Sequence, residues 1–146
     1  KIQNMKEQKF NNHARMVPGY HYITAPAILA LLGGSINYAL KVSPENKYLA
    51  FLLVLTSFIL VMLFAFARTF ALKAQDRAIR AEENLRHYVL TGKLLPSSLR
   101  VGQIVALRFA PDAEFPALVE KAATNNLSGK EIKQSIQNWK ADFYRV

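Results

Sequence analysis

The chain has 146 residues and no cysteine, which excludes disulfide frameworks, thiolate metal sites and cysteine nucleophiles together. Its three histidines, His13, His21 and His87, fall in unrelated segments and lack the i, i+4 pairing of metal-binding helices. His13 and His21 suit interfacial anchoring better than ligation. No glycine-rich phosphate loop, nucleophile elbow or haem-attachment pattern occurs. The acidic pairs Glu82/Glu83 and Asp112/Glu114 read as helix-surface charges and as acids at a helix N-terminus. We therefore expect no enzyme, no metal and no cofactor.

Charge of either sign is also missing from two long apolar runs, 23–40 and 48–67. Each approaches the roughly 20 residues that cross a hydrocarbon layer as a helix. Pro26 falls in the first turn of the first run, where its missing N–H costs nothing. A buried core helix of a soluble protein is the competing account, but so small a chain has nothing with which to bury two such runs. A cleaved signal peptide ending near Ala39 also fits poorly, because the run is long for a signal core and a second follows at once. Tyr20, Tyr22, Tyr38, Tyr48, Phe66 and Phe70 mark the ends, as aromatic rings do at membrane interfaces.

The net charge of +9 divides into +3 for 1–22, +1 for the loop 41–47, +2 for 68–90 and +3 for 91–146. Lys1, Lys6, Lys9 and Arg15 precede the first span, and Arg68, Lys73, Arg77 and Arg80 follow the second. The positive-inside rule then puts both termini in the cytoplasm and the loop outside. A loop this short obliges the spans to form an antiparallel hairpin. With no ionisable residue inside either span, an ion path or proton relay is not expected.

Helices meet in lipid through small and polar residues. Ala30, Gly33, Gly34, Ser35 and Asn37 provide such a face on the first span, with Ala30 and Gly34 at the small-xxx-small spacing. It is expected either to meet Thr56 and Ser57 of the second span or to dock another membrane subunit. Beyond the membrane, 68–90 lacks glycine and proline, so the second span should continue as a cytoplasmic stalk to about Thr91 and Gly92. Ala71, Ala74, Ala78, Ala81, Leu85 and Tyr88 recur every three or four residues as a packing seam. Asp76/Arg80, Glu82/Arg86 and Glu83/His87 are expected i, i+4 pairs. An interface-lying amphipathic helix is disfavoured by the three acids and the small seam.

The remainder, 91–146, reads as a small domain of short helices. One is expected over 99–110 after Pro96, one from Pro111 and Asp112 to about Ala123, and one opening on the capping box Ser128 to Glu131. Phe115, Leu118, Val119 and Ala122 face Ile132, Ile136, Trp139 and Phe143 across the expected core. A helix-turn-helix reader is the sharper alternative. Glu131 and Asp142 interrupt Lys130, Lys133 and Lys140, so nucleic acid is not expected as a partner.

The stretches 8–15 (QKFNNHAR), 75–86 (QDRAIRAEENLR), 103–110 (QIVALRFA), 114–118 (EFPAL) and 136–146 (IQNWKADFYRV) resemble a family of small bacterial two-span membrane proteins. That family is known only as a domain of unknown function, and its members are sometimes labelled transporter permeases. The resemblance implies that hairpin and tail form one module and that the natural end lies near Arg145 and Val146; Met5 is a candidate start. It implies no activity, and two spans without ionisable residues cannot enclose a transport pathway unless they assemble with others.

The fold expected is thus an all-α membrane protein: a two-helix transmembrane hairpin, a stalk and a small helical domain, with cytoplasmic ends in a bacterial inner membrane. The function expected is a non-catalytic accessory or scaffold subunit that docks other integral membrane subunits through Ala30, Gly33, Gly34 and Asn37 and through the stalk seam. Alternatives are a membrane-tethered module that binds nucleic acid or anionic lipid, and a homo-oligomeric channel-like assembly.

Overall fold

The computed structural model describes residues 8–10 and 16–142. Among them every regular element is helical and no strand occurs. The chain divides into two compact units, one of residues 16–72 and one of 1–15 with 73–146.

In the first unit Pro18, whose ring already holds φ near the helical value, leads into a π-helical turn, Gly19–Thr24, and then into α1, Ala25–Lys41. The helical segment therefore starts four residues before the apolar run. The Thr24 hydroxyl donates to Gly19 O at 3.0 Å within the wider turn. Val42 turns extended after α1, and a 3₁₀ turn, Pro44–Asn46, leads into α2, Lys47–Thr91. The segments Gly19–Lys41 and Pro44–Thr91 are both long and apolar enough to cross a membrane.

At 45 residues, α2 is more than twice the roughly 20 needed for one crossing. Its length follows from the absence of glycine and proline between Lys47 and Thr91. Gly92 ends it at φ +73°, donating its N–H to Tyr88 O at 2.8 Å. A Cβ built on Gly92 meets nothing within 4 Å, so a Gly92→Ala change carries only the backbone cost of the left-handed region. That cost is about 1 kcal/mol. A correspondingly small drop in denaturation midpoint is expected, read from the single tryptophan, Trp139, of the full chain in mild detergent.

In the second unit three short helices close one core: α3, Val101–Leu107; α4, Phe115–Thr124; and α5, Gly129–Ser135. Phe109, Phe115, Leu107, Val119 and Ile132 are its most deeply buried large side chains. Phe115, Leu118, Ile132 and Ile136 lie in the core, and Trp139 is partly buried against it with its ring 4.9 Å from that of Phe109. Gly129 allows α5 to approach α3, because a Cβ there would stand 3.1 Å from Gly102 O.

Three boundaries differ from the sequence reading. The helix expected over 99–110 is confined to Val101–Leu107, with Arg100 at its N-cap and turns at 108–110. The next begins at Phe115, because 112–114 form a turn in which Glu114 and Phe115 donate back to Pro111 O. The last keeps its capping box, with Ser128 N donating to Glu131 Oε2 at 2.7 Å and Glu131 N to Ser128 Oγ at 3.3 Å. It stops at Ser135, however, and Ile136 is extended, so Ile136 and Trp139 reach the core from an irregular segment. Phe143 and His13 lie outside the described residues.

Candidate interaction surfaces

In the unit of residues 16–72, the less exposed positions of α1 are Ala25, Ile28, Leu32, Ser35 and Ala39. Those of α2 there include Ala50, Val54, Ser57, Val61 and Phe64. Both sets recur every three or four residues, the spacing of one helix side. The Ser35 and Ser57 hydroxyls are 2.9 Å apart, and each is also 2.9 Å from a carbonyl of its own helix, Leu32 O or Val54 O. Two hydroxyl hydrogens thus serve three contacts. Tyr20 stacks on Phe64 with ring centroids 3.9 Å apart and donates its hydroxyl to Phe64 O at 2.6 Å.

Of the small face read from the sequence, only Ser35 turns inward. Ala30, Gly33, Gly34 and Asn37 are exposed, and nothing stands within 4 Å of a Cβ built on either glycine. Thr56 is exposed as well, so Ser57 alone of the expected pair meets α1. The less exposed side of α1 carries Ile28 and Leu32, whose branched side chains fill space, whereas Gly33 and Gly34 present none.

In the second unit two of the i, i+4 pairs expected along α2 are replaced by other partners, and the alanine seam is left open. Ala74, Ala78 and Ala81 are exposed, Leu85 keeps 63% of its surface and Tyr88 53%, whereas Ile79, Glu83 and His87 are buried. Ala71, assigned to the other unit, is half-buried. The helix therefore turns its charged side, not its alanine side, to the core of its own unit. Arg86 explains the choice. Its Nε donates to Asp112 Oδ1 at 2.7 Å, its Nη1 to Glu83 Oε2 at 2.9 Å and its Nη2 to Ala110 O at 2.7 Å. The guanidinium also lies 4.2 Å over the Phe115 ring. Arg86 thus pairs with Glu83 and Asp112 rather than Glu82, while His87 Nδ1 sits 2.7 Å from Lys93 O instead of meeting Glu83. Asn84 accepts Leu95 N at 2.9 Å, which ties the chain after α2 back to the helix.

Glu114 has a different duty from the one its position implies. Its carboxylate accepts Gln137 N and Asn138 N at 3.0 Å each and Asn138 Nδ2 at 2.9 Å, gathering the donors of the segment after α5. These hydrogen bonds compete with continuation of the helix and account for its end at Ser135. Desolvation favours the neutral acid, but the three donors outweigh it and hold the Glu114 carboxyl below its usual range. Glu131 is lowered by its capping box and Asp112 by Arg86. Because the folded-state values are depressed, the stabilisation is complete above the ordinary carboxylate range, near pH 4 to 5, and is lost as pH falls through the folded values. Acid unfolding followed by Trp139 fluorescence should be less steep in Glu114→Gln than in the parent.

Two further polar residues carry no periodic signal and were missed in the sequence. Gln103, buried beside the core, donates Nε2 to Leu127 O at 2.7 Å and accepts Arg100 N at 2.7 Å. Arg108 is also buried, 3.3 Å from Asp142 Oδ2 and 4.7 Å over the Phe109 ring. Burial lowers its pKa, opposed by the charges of Asp142, Asp76, Glu83 and Glu82. Gln8 packs on the same end, accepting Asp142 N at 2.8 Å, so residues near the N-terminus belong with the C-terminal unit. Among the described residues no three His, Asp or Glu side chains are grouped so as to hold a metal ion.

Among the described residues these features form clamps within the second unit and open faces on α1 and α2. Over residues 5–146 the chain matches a family model described as a family of unknown function, DUF6526. No curated protein and no solved structure matches it.

Proposed function

The chain belongs to DUF6526, a family of unknown function, and on that premise we propose that it is a non-catalytic integral membrane protein acting as an accessory or scaffold subunit of a larger membrane complex. One observation carries the membrane part: only 6% and 11% of the most apolar windows of its two long helices are buried inside the fold. A core helix of a soluble protein is covered by its neighbours, whereas Leu40, Phe51 and Leu63 here expose 81%, 59% and 57% of their surfaces. Lipid is the solvent that suits them.

The two spans form an antiparallel hairpin, a reading supported by the Ser35/Ser57 and Tyr20/Phe64 contacts. Both termini are cytoplasmic, in keeping with the basic flanks of the spans and the nearly neutral loop. The resemblance to small two-span bacterial proteins favours an inner membrane. Ala30, Gly33, Gly34 and Asn37, open on the outer side of α1, are the docking face toward another integral subunit within the bilayer. No catalytic role, cofactor or nucleic acid is assigned.

Isolation of the full chain from its native membranes in mild detergent, followed by native mass spectrometry, tests the subunit reading. A complex with a different integral membrane polypeptide is expected. A lone monomer at low micromolar concentration, or copies of this chain alone, would overturn it.

A further inference from the structure

We infer that α2 between Ala74 and Tyr88 is a self-association surface that meets the same segment of a second copy in parallel. Within the unit of residues 73–146, Ile79, Glu83 and His87 face the core of that unit. At about 100° per residue, Ala74, Ala78, Ala81, Leu85 and Tyr88 fall on the opposite side of the helix. Leu85 and Tyr88 remain 63% and 53% exposed, and the three alanines are exposed with them. This apolar strip, on a helix whose other side is already occupied, has the alternating three- and four-residue spacing of a coiled-coil seam.

Charge identifies the occupant. With Ala78 and Leu85 at the first apolar position of the heptad and Ala74, Ala81 and Tyr88 at the second, Arg77 and Glu82 flank the seam. In a parallel pair, the residue before the first seam position faces the residue five further along in the other helix. Arg77 therefore meets Glu82 of the second copy, and symmetry repeats the pair. Both side chains are exposed, and neither forms an ion pair among the described residues. They cannot pair within one helix, since five residues set them about 140° apart. An antiparallel pair centred on Ala81 instead brings Glu82 against Glu82 of the second copy. The parallel sense rests on the membrane reading above, because two copies inserted by the same rule present α2 in the same direction.

The absence of native cysteine makes the test direct. In the full chain, held in membranes or mild detergent, single cysteines at Ala74→Cys, Ala81→Cys and Tyr88→Cys should each oxidise to a disulfide-linked homodimer, whereas Arg80→Cys, outside the seam, should not. In the Ala81→Cys background, Arg77→Glu or Glu82→Arg should weaken dimerisation about tenfold, since two symmetry-related pairs pass from attraction to repulsion. The double reversal Arg77→Glu/Glu82→Arg should restore it. Cross-linking at one seam position only, at none, or no rescue by the double reversal would overturn the inference. Capture of a different membrane polypeptide in place of a second copy would also overturn it while leaving the subunit reading intact. A homodimer with no foreign subunit would uphold the inference and remove the subunit reading.

Discussion

Replacing Arg86 with alanine is expected to destabilise the unit of residues 73–146 by about 3–5 kcal/mol, the usual cost of leaving one partner of a buried ion pair behind. The penalty comes chiefly from Glu83, whose side chain is only 9% exposed and would lose its guanidinium partner. Asp112, 66% exposed, returns to water at little cost. The loss of the contact over Phe115 and of the hydrogen bond to Ala110 O adds to the effect. Chemical denaturation of the full chain in mild detergent, read by Trp139 fluorescence, gives the measurement. A Glu83→Leu/Arg86→Leu double variant should recover most of the loss, because the charge is then removed with its partner. If Arg86→Ala melts with the parent, the clamp does not hold the end of α2 to the 110–112 turn.

The second large effect separates lipid from water as the surroundings of α2. Phe58 lies near the middle of the 48–67 run and is 52% exposed. On a soluble protein, Phe58→Arg at so open a position would be neutral to within about 0.5 kcal/mol. Placed at the centre of a bilayer, the same change costs about 2.5–3.5 kcal/mol of insertion free energy. Membrane-integrated yield of Phe58→Arg should therefore fall markedly below that of Phe58→Leu, with the excess degraded or aggregated. Equal integrated yields for the two variants would contradict a membrane-spanning α2.

What could be read from the sequence was whatever depends on neighbours along the chain. The run from Lys47 to Thr91 is uninterrupted by glycine or proline, so one long helix ending at Gly92 follows from propensity alone. The Ser128/Glu131 capping box was equally legible, as were Phe115 and Ile132, whose positions repeat at helical spacing. What depends on distant partners was not. The end of α5 at Ser135 is set by Glu114, which lies 23 residues before Gln137 in sequence. The orientation of α2 in its unit is set by Arg86 reaching Asp112, 26 residues on, a contact that no spacing along the helix announces. The hydrophobic pattern gave no reason to turn Glu83 inward and leave Leu85 outside. The i, i+4 rule paired Arg86 with Glu82, whereas the fold pairs it with Glu83 one residue nearer and with the tertiary partner Asp112.

That same reversal gives the alanine strip its interest, since a side of α2 that does nothing for its own unit is free to serve another chain. For the face of Ala30, Gly33, Gly34 and Asn37 on α1, the comparable feature is open space beside both glycines. The first surface is assigned to a second copy by its flanking charges, and the second to a different membrane subunit, so the two assignments fail separately.

The account stands most directly on the chain crossing the bilayer twice with both ends on one side. Because no native cysteine competes, single cysteines can be placed at Asn46→Cys in the loop and at Ser97→Cys beyond α2, both at exposed positions. In right-side-out membrane vesicles, a membrane-impermeant maleimide should label the loop cysteine at once and the Ser97→Cys variant only after lysis. Labelling of both before lysis, or release of the chain from the membrane at alkaline pH, would contradict it.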